Sequence, residues 1–182
     1  MIENELANSI AKIKRNISLI GMPGCFKSTV GKLLAKKLGW QFLDVDDLYE
    51  IEYGESIADT FANSGEIEFR KRETAVLEKA VLVSNAVIAT GGGAVLDRKN
   101  RNILKESTTV IYLSAHVYTL FNRVKNSKNR PLLSEMTVQK IQELFNSRKE
   151  LYENLYDLKI TTDYKHPKQI VTEIICKVCN PQ

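Results

Sequence analysis

The sequence predicts an α/β domain built on a parallel sheet covered by helices. Three observations predict it. Short apolar runs of the kind that form buried strands alternate with longer segments whose apolar residues recur every three or four positions. The first run opens into a glycine-containing turn, Gly21 to Phe26, that leads directly into a helical segment. A later run, Ala86 to Thr90, ends in three consecutive glycines, Gly91, Gly92 and Gly93. With 182 residues, 43% apolar and 26% charged, the chain has room for one domain over residues 1–182 with an ordinary core.

Taken in order, Ile2, Leu6, Ile10 and Ile13 predict an amphipathic helix in an N-terminal extension over residues 1–15. Asn16 to Ile20 reads as a strand, and Ser28 to Leu38 as a helix with Val30, Leu33, Leu34 and Leu38 on one face, stopped by Gly39. Gln41 to Val45 is a strand, and Ile57 to Val83 a helix broken near Gly65. After the strand Ala86 to Thr90, Asp97 to Lys105 reads as helix, Thr109 to Leu113 as strand and Val117 to Lys125 as helix. Asn126 to Glu135 is a polar, basic loop containing Pro131. Val138 to Tyr152 is a helix, Leu158 to Thr162 a strand, and Pro167 to Val178 the closing helix.

Composition narrows the function classes. No apolar run approaches the ~18–20 residues that cross a bilayer, so no membrane partner is expected. The first fifteen residues carry Glu3, Glu5, Lys12, Lys14 and Arg15 and do not read as a secretory signal. Three cysteines cannot all pair, which points to a reducing compartment and a cytoplasmic location. The net charge of +4 comes from basic residues spread along the chain rather than gathered in a stripe. No nucleic-acid partner is therefore expected, whereas small anionic substrates suit the charge.

Gly21-Met-Pro-Gly-Cys-Phe-Lys-Ser-Thr lies between a strand and a helix, the setting in which G-x-x-x-x-G-K-[ST] cradles phosphates. Backbone N–H groups and the helix N-terminus hold the anion. Lys27 is placed to reach the terminal phosphates and Ser28 to ligate Mg²⁺. Phe26 departs from the pattern, standing where the motif has glycine. A forced non-glycine conformation costs ~1–3 kcal/mol. A misdirected N–H to a charged phosphate loses roughly another 1.5–3 kcal/mol. Unrelieved, that is a ~10²–10⁴-fold loss of nucleotide affinity. Phe26 therefore either reshapes the loop or cripples it, and Phe26→Gly is expected to strengthen ATP binding modestly. Cys25, beside a lysine and a helix N-terminus, is expected to be the most readily alkylated cysteine unless Phe26 shields it.

Other candidates lie further along. Asp44 and Asp46, two apart at a strand end, share one face, while Asp47 is expected to cap the next helix. Arg70 and Glu73, three apart on a helix, are spaced to pair and so to orient Arg70. Gly91, Gly92 and Gly93 allow a ligand to lie against bare backbone. Arg130-Pro-Leu-Leu133 sits in a loop suited to close over phosphates, flanked by Arg123, Lys125 and Lys128. Cys176 and Cys179, spaced C-x-x-C, are expected to face the core, and His116 and His166 have no metal-like partners.

Together these pieces resemble the shikimate kinase family over roughly residues 16 to 180. They are Gly21 to Thr29 with Gly31, Asp44-x-Asp46, Ser56-Ile57-Ala58-Asp59 with Phe61, Phe69-Arg70, Gly91 to Gly93, Arg130-Pro-Leu-Leu133, and Arg148 with Leu151-Tyr152. The triple glycine joined to Phe-Arg and Arg-Pro-Leu-Leu separates this family from gluconate and nucleoside monophosphate kinases. The resemblance implies a three-layer P-loop fold with a five-stranded parallel sheet in the order 2-3-1-4-5. It implies a substrate-binding region near 44–75, a lid near 123–137 and a monomer. It implies transfer of the ATP γ-phosphate to the 3-hydroxyl of shikimate, with Mg²⁺ as cofactor. Asp46, Arg70, Gly91, Gly92, Gly93 and Arg148 are then expected to bind shikimate, with Ile57, Phe61 and Phe69 on its apolar side. Gly24, Cys25, Phe26, Lys27, Ser28, Thr29, Arg123 and Arg130 are expected to bind ATP. Ser28 and Asp44 are expected to support Mg²⁺, and Lys27, Asp46 and Arg130 to carry catalysis. Two alternatives stand beside an active kinase: a weakly active or inactive shikimate-binding relative, suggested by Phe26, and another small-molecule kinase of the same fold.

Overall fold

The computed structural model describes residues 14–125 and 137–179. Its elements are β1 (Ile17–Ile20), α1 (Lys27–Leu38), β2 (Gln41–Asp44), α2 (Val45–Tyr53), α3 (Ile57–Ala80), β3 (Ala86–Ala89), a 3₁₀ turn (Ala94–Leu96), α4 (Arg98–Ser107), β4 (Thr109–Ser114), α5 (Val117–Lys125), α6 (Val138–Glu153), β5 (Leu158–Thr161) and α7 (Pro167–Cys179). The expected helix over Ile2–Ile13 and the loop Asn126–Glu135, with Arg130, lie outside the described residues.

The five strands form one parallel sheet in the order β2-β3-β1-β4-β5, as the family resemblance implied. Ile17 of β1 is in register with Val87 of β3 on one side and Thr109 of β4 on the other. A parallel sheet covered on both faces needs strands that are apolar throughout. The central strands meet that need: every residue of β1 and β3 is buried, and Val110 to Leu113 of β4 are at most 1% exposed. The edge strands β2 and β5 are only partly buried. Parallel pairing also puts all five carboxyl ends on one edge. The connection leaving β1 runs to β2 on one side and that leaving β3 to β4 on the other. Ligands of open α/β sheets bind beyond the strands at such a reversal.

Helix ends follow the local chemistry. Gly39, at φ 68°, closes α1 by donating to the Ala35 carbonyl, and Lys36 and Lys37 lie in its last turn, where the helix dipole favours cations. Ser56 caps α3 by accepting from the Asp59 N–H at 3.1 Å. The expected break occurs at Gly65, whose φ 77° and ψ 174° interrupt the helix.

Three expectations are corrected. Asp44 and Asp46 do not alternate along one strand, because β2 stops at Asp44 and α2 begins at Val45. The cap of α2 is Asp44 rather than Asp47: its Oδ1 accepts the Asp46 N–H at 3.2 Å. Cys176 does not face the core but is exposed on α7.

Candidate active site

The turn after β1 keeps the phosphate-loop shape despite Phe26. Phe26 sits at φ 74° and ψ 20°, the left-handed conformation that glycine supplies without strain. It therefore neither reshapes the backbone nor leaves the helix start unmade: its carbonyl accepts the Val30 N–H at 2.8 Å, opening α1. No side chain caps α1, so its first-turn N–H groups remain donors for an anion. The Lys27 ammonium, 8% exposed, is held by the Gly21 carbonyl at 2.7 Å and the Met22 carbonyl at 3.1 Å. Cys25 is 0% exposed, which favours the shielded alternative over a readily alkylated thiol.

Beside this loop, Ser28 Oγ donates to Asp44 Oδ2 at 2.6 Å. The α2 cap then fixes the Asp46 backbone through the other oxygen of the same carboxylate. An oxygen-only group of one hydroxyl and one carboxylate suits Mg²⁺, which takes few protein ligands and keeps waters. Lys27, Ser28, Asp44, Asp46, Gly92 and Arg123 all line one cavity of about 180 Å³.

On the far side of Asp46 lies a charged cluster. Arg70 Nη1 meets Glu73 Oε2 at 2.8 Å, and Nη2 and Nε meet Glu66 Oε1 at 3.1 and 3.2 Å. The pairing expected of Arg70 and Glu73 is present. Glu73 is 2% exposed, and burial pushes its carboxyl above the usual range while the Arg70 guanidinium pulls it back. The glycines make room for these side chains. A Cβ on Gly91 would stand 2.8 Å from Glu73 Oε1 and 2.9 Å from Asp46 Oδ1. One on Gly93 would stand 2.6 Å from Arg70 Nη2. The bare backbone thus admits the site's own charged groups, a reason the sequence alone did not supply. Arg70 itself borders a neighbouring hollow with Thr74 and Leu96 rather than the cavity at Lys27.

α6 reaches the same glycine turn from the other side. Tyr152 Oη donates to the Gly92 carbonyl at 2.6 Å, and Arg148 Nη1 donates to it at 3.2 Å. Arg148 Nε is buried and has no hydrogen-bond partner among the described residues. Phe69 is nearly buried against Phe61 and Tyr49, with ring centroids 4.6 and 5.3 Å apart, and Ile57 packs on the same core.

Arg123, in the last turn of α5, spans the loop and the end of β5. Its Nη1 donates to the Gly24 carbonyl at 3.2 Å and to Thr162 Oγ1 at 3.0 Å, and its Nη2 to the Thr162 carbonyl at 2.7 Å. Its guanidinium lies 3.8 Å from the centre of the Phe26 ring. Asp163 anchors the start of α5 by accepting from the His116 N–H at 3.0 Å and the Thr119 hydroxyl at 2.6 Å. Burial works against the Asp163 charge, but these hydrogen bonds outweigh it and hold the carboxyl below its ordinary range.

Sequence reasoning missed Thr162 and Asp163, quoted Tyr152 beside Arg148 without giving it a role, and used Glu73 only as a partner of Arg70. Thr162 and Asp163 were visible as the polar pair that follows the last strand. Tyr152 was visible as part of the Arg148 motif, but its contact with Gly92 spans 60 positions.

A family model described as shikimate kinase matches residues 23–179. A shikimate kinase of Persephonella marina is 44% identical over 164 residues, covering 90% of this chain and 99% of that one. One from Sulfurihydrogenibium sp. is 41% identical, covering 90% and 98%. Among solved structures, the shikimate kinase of Acinetobacter baumannii in complex with shikimate superposes with a TM-score of 0.84 at 37% identity, over 92% of this chain and 94% of that one.

Proposed function

The chain belongs to the shikimate kinase family, and on that premise we propose that it transfers the γ-phosphate of ATP to the 3-hydroxyl of shikimate, with its own residues in the roles below. The observation that carries the reading is Arg148 Nε, a buried donor aimed at no group among the described residues while Nη1 is tied to Gly92. A planar carboxylate is the acceptor for which the guanidinium fork is shaped. Arg70, held in plane by Glu73 and Glu66, supplies the second grip on that carboxylate.

Asp46, in the first turn of α2, binds the ring hydroxyls and accepts the proton of the attacking 3-hydroxyl. Gly91, Gly92 and Gly93 form the wall between Asp46 and the arginines. On the nucleotide side, the loop amides of Gly24 to Thr29 hold the phosphates. Lys27 leaves its two carbonyl partners for the charge that develops on the transferred group. Ser28 and Asp44 hold Mg²⁺, which when bound neutralises charge on the β- and γ-phosphates. Arg130, outside the described residues, is assigned to the same charge from the sequence alone. We assign the chain as a cytoplasmic monomer acting on small molecules; no helix among the described residues is long and apolar enough to cross a membrane.

Calorimetric titration with shikimate and with its methyl ester tests the two-arginine grip. Shikimate should bind at least ~10-fold tighter than the ester, the loss of one charge-assisted contact. Equal affinities would remove the carboxylate assignment. The alternative of an inactive shikimate-binding relative rests on Phe26 and shares this binding result; turnover separates the two.

A further inference from the structure

Phe26 is the one residue of the phosphate loop that departs from its motif, and the structure gives its ring an occupation. The ring lies flat enough against Arg123 to bring the guanidinium carbon within 3.8 Å of its centre. That contact is intimate for a cation–π pair, which extends to about 6 Å. Three in-plane hydrogen bonds of Arg123 go to Gly24 and Thr162. The edge of the guanidinium is thus largely spent on the protein, and one face is covered by Phe26. Arg123 is only half-buried, and it lines with Phe26 the cavity that also holds Lys27 and Ser28.

We propose that Phe26 is a positioning residue that fixes the plane of Arg123, so that the guanidinium stacks on the base of the nucleotide while Lys27 and the loop amides hold the phosphates. This rests on the reading of the site as an ATP site and deepens it. The left-handed backbone of Phe26 is then a cost offset by the stack, rather than a defect. The expected gain from Phe26→Gly is then confined to the phosphates: it relieves strain there but releases Arg123 at the base.

The test compares a non-hydrolysable ATP analogue with inorganic tripolyphosphate, each with Mg²⁺, by calorimetry on the full chain. The readout is the ratio of the two affinities, which cancels any effect on the phosphate loop itself. Phe26→Leu keeps the backbone strain and apolar bulk but removes the flat ring, and should lower the ratio by about 3–30-fold. Phe26→Gly should lower the ratio comparably while raising tripolyphosphate affinity, and Phe26→Tyr, which keeps the ring, should leave the ratio within about twofold. With Arg123→Met already in place, Phe26→Leu should change the ratio by less than about twofold. A ratio unchanged by Phe26→Leu and Phe26→Gly, or one that falls as far without Arg123 as with it, overturns the proposal. Shikimate turnover by the unaltered chain is measured alongside. Turnover with a ring-independent ratio sinks this inference alone, whereas a ring-dependent ratio without turnover sinks the functional reading alone.

Discussion

Arg148 donates through Nη1 to Gly92 while its buried Nε has no partner among the described residues. Leaving a buried donor unmatched costs ~1–3 kcal/mol, a cost that a bound carboxylate removes. Arg148→Ala is therefore expected to raise the shikimate KM by ~10–150-fold and to leave the ATP KM near its starting value. Steady-state kinetics with each substrate varied in turn checks this, and an unchanged shikimate KM would remove Arg148 from the site. Asp46 behaves differently. It is positioned by the cap on its own backbone N–H, and its role is to accept a proton. Asp46→Asn keeps the size but not the basicity, so kcat should fall by ~10²–10⁴-fold with a smaller change in KM. Near-normal kcat would leave Asp46 only a positioning role. At this scale the sequence was partly legible. Arg70 and Glu73 were readable as a pair because three residues on a helix set their separation. Arg148 and Gly92 meet across 56 positions, which no local spacing encodes.

Elements were legible where one signal dominated. β3 is a continuous apolar run, β4 is apolar from Val110 to Leu113 and β1 is interrupted only by the buried Ser18, the near-apolar pattern that burial on both faces of a parallel sheet favours. α2 was missed because it follows β2 with no intervening turn: Asp44 ends the strand and caps the helix at once. That junction is also what brings Asp44 and Asp46 to one place, so the right grouping was inferred from the wrong geometry. The start of α5 depends on Asp163, whose carboxyl is held below its ordinary range by hydrogen bonds from Thr119 and His116 that outweigh burial. A depressed carboxylate contributes stability that is present above its unfolded value, about 3.9, and lost as pH falls through the lower folded value. Asp163→Ala should lower the Tm by about 2–4 °C at neutral pH. The gap from the unaltered chain should hold down to about pH 4 and narrow below it. Melting curves across that range check the sign, and a gap that stays constant into strong acid would contradict it. On α6, Tyr152→Phe removes the 2.6 Å bond to the Gly92 carbonyl without removing the ring stacked on Tyr112. Stability should fall by roughly 0.5–1.5 kcal/mol and the shikimate KM should rise, since Gly92 also positions Arg148. Denaturant unfolding and kinetics on the same variant measure both.

The whole molecule works by convergence on one sheet edge. β1 delivers the phosphate loop, β2 delivers Asp44 and α2, β3 delivers the three glycines, and the residues after β5 hold Arg123. The strand order was legible only through the family resemblance, since alternation of strands and helices fixes a parallel sheet but not the sequence of its neighbours. Whether Phe26 reshapes or cripples the loop was not legible in the sequence, because the partner its ring finds, Arg123, lies 97 positions away. The most direct test of the account is turnover by the unaltered chain with shikimate, ATP and Mg²⁺, followed by ³¹P NMR of the products. The account predicts a new phosphate monoester at the 3-position, formed with ADP one for one, with kcat on the order of 1–100 s⁻¹ and abolished by EDTA. Tight shikimate binding with no phosphate transfer, or equal transfer to a sugar acid that lacks the shikimate ring, would contradict it.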